Sequence, residues 1–310
     1  MKNLAVKIRI LFLPLIFISL SFLAIYTFLH WLVVIKYGRL NGINEELLDY
    51  WIPFVLSYII VLLVMWGRIK KLKFSYSYWN SFPLYIFIAG LTVAIPAVIA
   101  VSYTRTATGK LTKIESSAKF DKTSMTKYYE IDSMYLDKNY YGAMWTYKNS
   151  GRYGQDRTFY EYIATPLMSS PSDTTAGEFD IWYGFAFEQQ IDNDLEENIK
   201  DSLFANFRNR NMQSFRDTNL YAASYFERLG TSVDQKGLAE AVKYSGIAPK
   251  TDAVILVPRF DSFESRNGFK LGWVFISLWL MSTIWLLMLL AKPLKEPELV
   301  KKNHDYIKDL

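Results

Sequence analysis

The residue types that most often perform chemistry are scarce in this chain or lie outside its longest polar stretch. Cysteine is absent, which excludes disulfides, thiolate metal sites and a cysteine nucleophile. The only two histidines, His30 and His304, both lie outside residues 104–270. That polar stretch therefore lacks the side chains for Ser-His-Asp hydrolysis and for a histidine-ligated metal. We expect no cofactor and no metal ion.

Carboxylates, serines and lysines are the remaining candidates for catalysis. Paired acids could hydrolyse a glycoside and a Ser–Lys dyad could transfer an acyl group, but no motif marks either arrangement. The sequence contains none of the patterns GxSxG, GxxxxGKS/T, GxGxxG or HExxH. Four acids resemble a metal cluster, but they crowd the predicted start of a helix, where they would stabilise its dipole: Asp192, Asp194, Glu196 and Glu197. The sequence therefore favours a protein that is not an enzyme.

Aromatic side chains are the other feature that could bind a partner. Within residues 104–270 we expect most of them to fill the core of a sheet, and the rest to form a surface. The candidate surface residues are Tyr140, Tyr141, Trp145, Trp182 and Tyr183. A second group mixes charges near the last apolar run, where salt bridges could lock the domain onto the membrane: Arg228, Arg259, Glu264 and Arg266.

Four apolar runs must position these residues. They cover about residues 10–35, 52–67, 82–103 and 271–291, and their interiors lack Asp, Glu, Lys and Arg. Each run is close to the ~20 residues needed to cross a bilayer, whereas a soluble helix of that length carries a charged face. The sequence predicts three transmembrane helices within residues 1–103, an inserted domain at 104–270, a fourth transmembrane helix at 271–291 and a tail at 292–310.

Charge predicts the side of the membrane. Residues 104–270 hold 21 Lys/Arg against 23 Asp/Glu, so the positive surplus of the chain lies in its short flanks. The positive-inside rule then places both termini in the cytoplasm and residues 104–270 on the extracytoplasmic side of the membrane. The basic flanks are attributed to the lipid bilayer, and no nucleic-acid partner is expected.

His30 lies near the predicted outer end of the first run. A histidine there could be a proton relay, which would need an ionisable neighbour. Because none of the four runs contains an acid, the sequence favours an interfacial position for His30. For the same reason a transporter or channel is not expected.

The inserted domain reads as an α+β fold. Strand patterns rich in aromatic and β-branched residues occur at 110–120, 127–136, 143–147, 158–164 and 179–187. Helical spacing follows, first in a helix capped by Asp192 and then over residues 234–244. The continuously apolar residues 253–258 predict a buried strand that returns towards the membrane.

Several phrases together resemble one family. They are LHWLV, WIPFVLSYIIVLLVMWGRIKKLK, ATGKLTKI, KYYEID, YFERLG and ILVPRFDSFESRNG. This arrangement is similar to the membrane region that precedes the rhomboid domain in some bacterial rhomboid-like proteins. The resemblance implies an accessory role beside a rhomboid protease. The six-span catalytic bundle of rhomboids, with its GxSG serine and membrane histidine, has no counterpart here, so no catalytic residue is carried over.

Three functions remain open at this stage. The first is a non-enzymatic membrane protein whose extracytoplasmic domain recognises a membrane or periplasmic protein. The second is a sensor or binding module for a small molecule or glycan. The third is a cryptic hydrolase that uses a Ser–Lys dyad or paired acids.

Overall fold

The computed structural model describes residues 3–37, 42–74, 81–175 and 178–295. The chain divides into a helical unit, formed by residues 1–108 and 267–310, and a sheet domain, residues 109–266. Four helices are long and apolar enough to cross a membrane: Leu4–Lys36 (α1), Leu47–Ile69 (α2), Phe82–Ala107 (α3) and Phe263–Ala291, whose α-helical part is Lys270–Ala291 (α6). The expectation of four such helices beside a separate sheet domain is confirmed.

Helix α3 is the centre of the helical unit, because α1, α2 and α6 each pack against it. One face of α3 carries small side chains, which lets the neighbouring helices approach closely: Ala89, Gly90, Ala94, Ala97 and Ala100. A Cβ on Gly90 would lie 2.7 Å from the ring of Tyr58, so a larger residue there would force that ring to shift. The apolar side chains that these helices bury between them form the core of the unit.

Hydrogen bonds join the helices at one end of the helical unit. Lys7 Nζ donates to the Leu289 carbonyl at 2.7 Å, and the Tyr85 hydroxyl donates to the Met288 carbonyl at 2.6 Å. Leu72 forms a backbone bridge with Leu294. Three short basic segments, described at residues 3–9, 68–73 and 292–295, therefore meet at the same end of the helical unit.

In its described residues, the sheet domain contains seven strands and two α-helices. The strands are Leu111–Ser116 (β1), Tyr128–Ser133 (β2), Gly142–Ser150 (β3), Asp156–Pro166 (β4), Glu178–Asp192 (β5), Tyr225–Arg228 (β6) and Ala248–Arg259 (β7). The helices are Glu197–Asp217 (α4) and Val233–Tyr244 (α5). The strand order is β1-β2-β6-β7-β5-β4-β3, with β1/β2 and β5/β7 parallel and the other neighbours antiparallel.

The two helices cover opposite faces of this mixed sheet. On β4, Ile163 belongs to the core cluster that contains Phe215 of α4, whereas Tyr162 belongs to the cluster that contains Leu238 of α5. Successive strand residues point to opposite faces, so the aromatic residues of the central strands are buried on both sides.

The predicted cap at Asp192 is wrong. Asp192 is the last residue of β5 and lies opposite Asp156 of β4, and α4 begins only at Glu197, after Glu196. The long β4–β5 ladder takes the backbone groups that the helix would have used. Along α4, Phe207 is buried but Ile199 is exposed.

Candidate functional site

Strand β3 forms one edge of the sheet and presents an exposed aromatic surface. Trp145 is 50% exposed and Tyr147 is 56% exposed, and both occur on the same face of the strand. The centroid of the Trp145 ring lies 5.2 Å from that of the Phe204 ring of α4, and this contact orients the Trp145 side chain. All six residues from Trp145 to Ser150 are exposed. An edge strand has one row of backbone N–H and C=O groups without a neighbouring strand, so it can pair with an added strand.

Cations lie along this edge, and two of them, Arg157 and Arg208, are each 3.7 Å from an acid, Glu197 and Glu161 respectively. Residues 145–155 include Lys148 and Arg152 but no Asp or Glu. The Arg157 guanidinium lies 4.7 Å from the centroid of the Tyr147 ring, and Arg208 lies 5.6 Å from that of Trp145. The edge therefore combines apolar rings with cations, a composition enriched at protein interfaces. We call Trp145–Ser150, with Arg157 and Arg208, the β3 edge.

The other predicted surface residues are distributed differently. Tyr140 is 40% exposed, and Tyr141 is partly buried against Phe215. Trp182 and Tyr183 are fully buried, which corrects their assignment to a surface. They lie on β5, inside the sheet and between the two helical layers, so adjacent residues on opposite faces are both enclosed.

The charged residues predicted to lock the domain onto the membrane have different partners. Arg259 Nε donates to Glu227 at 2.9 Å, and Lys127 Nζ lies 3.0 Å from the same carboxylate. Arg228 Nε donates to the Thr126 carbonyl at 2.9 Å. Glu264 is exposed, and Arg266 stacks 3.7 Å from the centroid of the Phe263 ring. Arg259 and Arg228 therefore have partners within the sheet domain, and the locking role stays a prediction.

Two glutamates of the sheet domain have pKa values displaced in opposite directions. Burial raises the pKa of Glu227, but the charges of Lys127 and Arg259 outweigh it and hold the pKa below its usual range. Burial raises the pKa of Glu161, and the bonds from Asn211 and Arg208 offset this only in part. Glu161 accepts from Asn211 Nδ2 at 2.9 Å, whereas Arg208 Nε is 3.7 Å away.

A buried charge cluster in the helical unit was missed by the sequence reasoning. His30 Nε2 lies 3.0 Å from Asp49 Oδ1, and Asp49 Oδ2 lies 3.0 Å from a guanidinium nitrogen of Arg105. Arg105 also pairs with Glu45. We call these four residues the His30 cluster. The inference that His30 has no acidic partner in the spans is wrong, because α2 begins at Leu47 and includes Asp49.

The sequence held one signal for this cluster. Glu45 and Asp49 are four residues apart, a spacing that places both on one face if the helix begins before Trp51. The apolar run alone begins at residue 52 and leaves both acids outside the predicted second helix. The pairing of Asp49 with His30 and Arg105 brings together three helices and has no local signature.

The described part of the chain gives little support for a metal site or for a glycan-binding pocket. No group of three or more His, Cys, Asp or Glu in the described ranges could hold a metal ion. A cavity of about 540 Å³ on the sheet domain has no aromatic side chain in its lining, which consists of Gln155, Asp156, Gln190, Ile191, Asp192 and Asp194. This lining does not offer the stacking surface expected for a glycan.

Comparisons of the whole chain with protein families, with curated proteins and with solved structures found no match. Function must therefore be inferred from the described residues themselves.

Proposed function

We propose that this chain is a non-enzymatic multi-pass protein of a bacterial cytoplasmic membrane, and that its sheet domain binds a protein partner outside that membrane. The β3 edge is the observation that carries the proposal. The rhomboid resemblance suggests a membrane protease, or a substrate of one, as the class of partner.

The orientation is supported by the distribution of charge in the helical unit. The described parts of the basic flanks meet at one end, where Lys7 bonds the carbonyl of Leu289. The acids Glu45 and Asp49 lie on the segment between the first two apolar runs, which the positive-inside rule assigns to the opposite side. The chain enters the sheet domain from the end of α3 that carries Arg105, the partner of both acids. This arrangement favours a cytoplasmic basic end and an extracytoplasmic sheet domain.

The mode of binding follows from the chemistry of an edge strand. A segment of the partner would extend the sheet beside β3, and main-chain hydrogen bonds would supply affinity. Trp145 and Tyr147 would anchor its side chains, because large aromatic residues contribute much of the binding energy at interfaces. The cations of the edge favour an extended segment that carries acidic residues.

The orientation can be tested by labelling single cysteines, since the chain contains none of its own. Thr146→Cys places a thiol on the exposed edge, and Lys73→Cys places one at the basic end. With a maleimide that cannot cross the cytoplasmic membrane, we expect Thr146→Cys to react in intact cells. Lys73→Cys should react only after the membrane is permeabilised. The reverse pattern would contradict the orientation.

The binding surface can be tested by photo-crosslinking from the same Thr146→Cys thiol in the full-length protein in cells. We expect a discrete product between this chain and a second protein. Replacing Trp145 and Tyr147 with serine should lower its yield about tenfold or more, since each anchor contributes more than about 1 kcal/mol. The control is Phe260→Ser, which removes an aromatic residue that is also 50% exposed but follows β7.

Three outcomes would count against this surface. A crosslinked product with the mass of two copies of this chain would indicate self-association through β3. An equal loss of product with Phe260→Ser would mean that exposed aromatic area in general matters, and not the β3 edge. No product at all from position 146 would remove the edge as the binding site.

A further inference from the structure

His30 and Asp49 are buried, and the charges of the four residues of the His30 cluster do not balance when the histidine is neutral. The side chains of His30 and Asp49 are 2% and 8% exposed. Two carboxylates, Glu45 and Asp49, then face one cation, Arg105, which leaves a net charge of −1. An uncompensated charge is costly where water is excluded. Adding one proton to His30 makes the cluster neutral.

The hydrogen bond to Asp49 identifies which ring nitrogen of His30 can take that proton. A proton must lie between His30 Nε2 and Asp49 Oδ1 at 3.0 Å, because a bare ring nitrogen would repel the carboxylate. Nδ1 is buried and has no hydrogen-bond partner among the described residues. In the neutral imidazole with its proton on Nε2, Nδ1 therefore carries a free lone pair.

The other ionisable groups near His30 are accounted for. Tyr26 of α1 donates its hydroxyl to the Leu48 carbonyl at 2.7 Å. Lys36 lies over the ring of Trp31 at 5.5 Å, and Lys270 of α6 donates to Thr106 at 3.4 Å. Among the described residues, the ion pairs of His30 and Asp49 are those within the cluster.

The backbone geometry and the exposed fraction of its side chains also distinguish the His30 cluster. Asp49 lies within a π-helical segment, Leu47–Trp51, and another, Trp31–Lys36, begins directly after His30. Such segments are frequent at functional sites in helices. The exposed fraction of the acids rises from 8% at Asp49 to 27% at Glu45, so the cluster has a more accessible outer end.

We propose that His30 is a proton-binding site in the helical unit. The neutral imidazole, which donates Nε2–H to Asp49, takes one proton at Nδ1 and becomes an imidazolium. The charge of the cluster changes from −1 to 0, and the attraction between α1 and α2 across the His30–Asp49 pair increases. Proton binding at this site makes the packing of these two helices dependent on proton concentration.

The test uses the full chain with His304→Gln, which leaves His30 as its one histidine. The protein is labelled with ¹⁵N-histidine, reconstituted in lipid nanodiscs and titrated while both ring nitrogens are observed by NMR. We expect Nε2 to stay protonated throughout and Nδ1 to change from bare to protonated on acidification. A neutral form with its proton on Nδ1, or no change across about pH 5 to 8, would overturn the proposal without any further variant.

Variants then test the role of the carboxylates. Asp49→Asn removes the adjacent negative charge, so we expect the midpoint of proton uptake to move about one pH unit or more towards acid. Glu45→Gln should move the midpoint less, because Arg105 lies between Glu45 and Asp49 in the cluster. This variant replaces Asp49→Asn in the test if Asp49→Asn does not fold. Glu115→Gln, an exposed acid on β1, is the control and should leave the midpoint unchanged. Equal midpoints in all of the folded proteins would refute the cluster as the cause.

Discussion

Gly142→Ala is expected to destabilise the sheet domain by about 3 kcal/mol or more, the upper end of the cost of overpacking. A Cβ on Gly142 would lie 1.8 Å from the Ala241 carbonyl oxygen and 2.6 Å from the Ser245 nitrogen. Both atoms belong to the backbone at the end of α5, so neither can rotate away as a side chain would. Accommodation requires α5 to move off the sheet, which opens the cluster that contains Leu238 and Trp182.

This expectation is measured as the free energy of unfolding of the full chain in detergent, from denaturant titrations followed by near-UV circular dichroism. The matched control is Thr146→Ala, in the same strand at an exposed position, which should change the free energy by less than about 0.5 kcal/mol. If Gly142→Ala also stays within that limit, the close contact between β3 and α5 does not exist in solution.

Glu227→Gln is expected to lower the free energy of unfolding by about 3 kcal/mol near neutral pH, because it leaves two cations without their shared carboxylate. Lys127 and Arg259 both pair with Glu227, and the Glu227 side chain is 16% exposed. Their charges hold the pKa of Glu227 below its unfolded value. The ionised group therefore stabilises the fold above the unfolded pKa, and this contribution is lost as the pH falls through the folded pKa. The variant should approach the wild type in acid.

Glu161→Gln provides the matched comparison, with the opposite dependence on pH. Burial raises the pKa of Glu161, so its contribution to stability is fully present below the unfolded pKa and is lost as the pH rises through the folded pKa. Glutamine can still accept from Asn211 but carries no buried charge. Relative to wild type, the free energy of unfolding of Glu161→Gln should rise as the pH increases from the unfolded glutamate pKa, about 4.3, through the folded pKa of Glu161. That of Glu227→Gln should fall as the pH increases through the folded pKa of Glu227 towards about 4.3, and should change little above it.

These two expectations are tested by measuring the free energy of unfolding of the wild type and both variants at several pH values. Parallel curves for the two variants would show that the carboxylates share one environment. A pH-independent difference from wild type for Glu227→Gln would mean that Lys127 and Arg259 do not hold it ionised.

Local pattern was sufficient for most elements of this chain. A long apolar run has few ways to satisfy its backbone other than as a helix, so four such helices could be predicted. Aromatic and β-branched residues likewise predicted every strand of the described sheet except β6, Tyr225–Arg228, which had no predicted counterpart. Boundaries were less accurate where a tertiary contact extends an element: α2 begins five residues before its apolar run, at Leu47, and β5 continues to Asp192.

The candidate surface was predicted only in part, because exposure depends on strand order. Trp145 and Trp182 are both in aromatic-rich strands, and their local sequences do not separate them. The fold places Trp145 on the edge strand β3 and Trp182 inside the sheet on β5, under α5. Residue spacing carries no information about which strand forms the edge.

By itself, the sequence determined the four long apolar helices, the division into a helical unit and a polar domain, and the absence of cysteine chemistry. These depend on composition and on periodicity within short segments. Only the tertiary structure decided which aromatic residues are exposed on β3 and that His30 meets Asp49 and Arg105. The His30 cluster joins residues separated by as many as 75 positions across three helices, from His30 to Arg105. Contacts over such distances depend on how helices pack, and no periodicity within one segment records them.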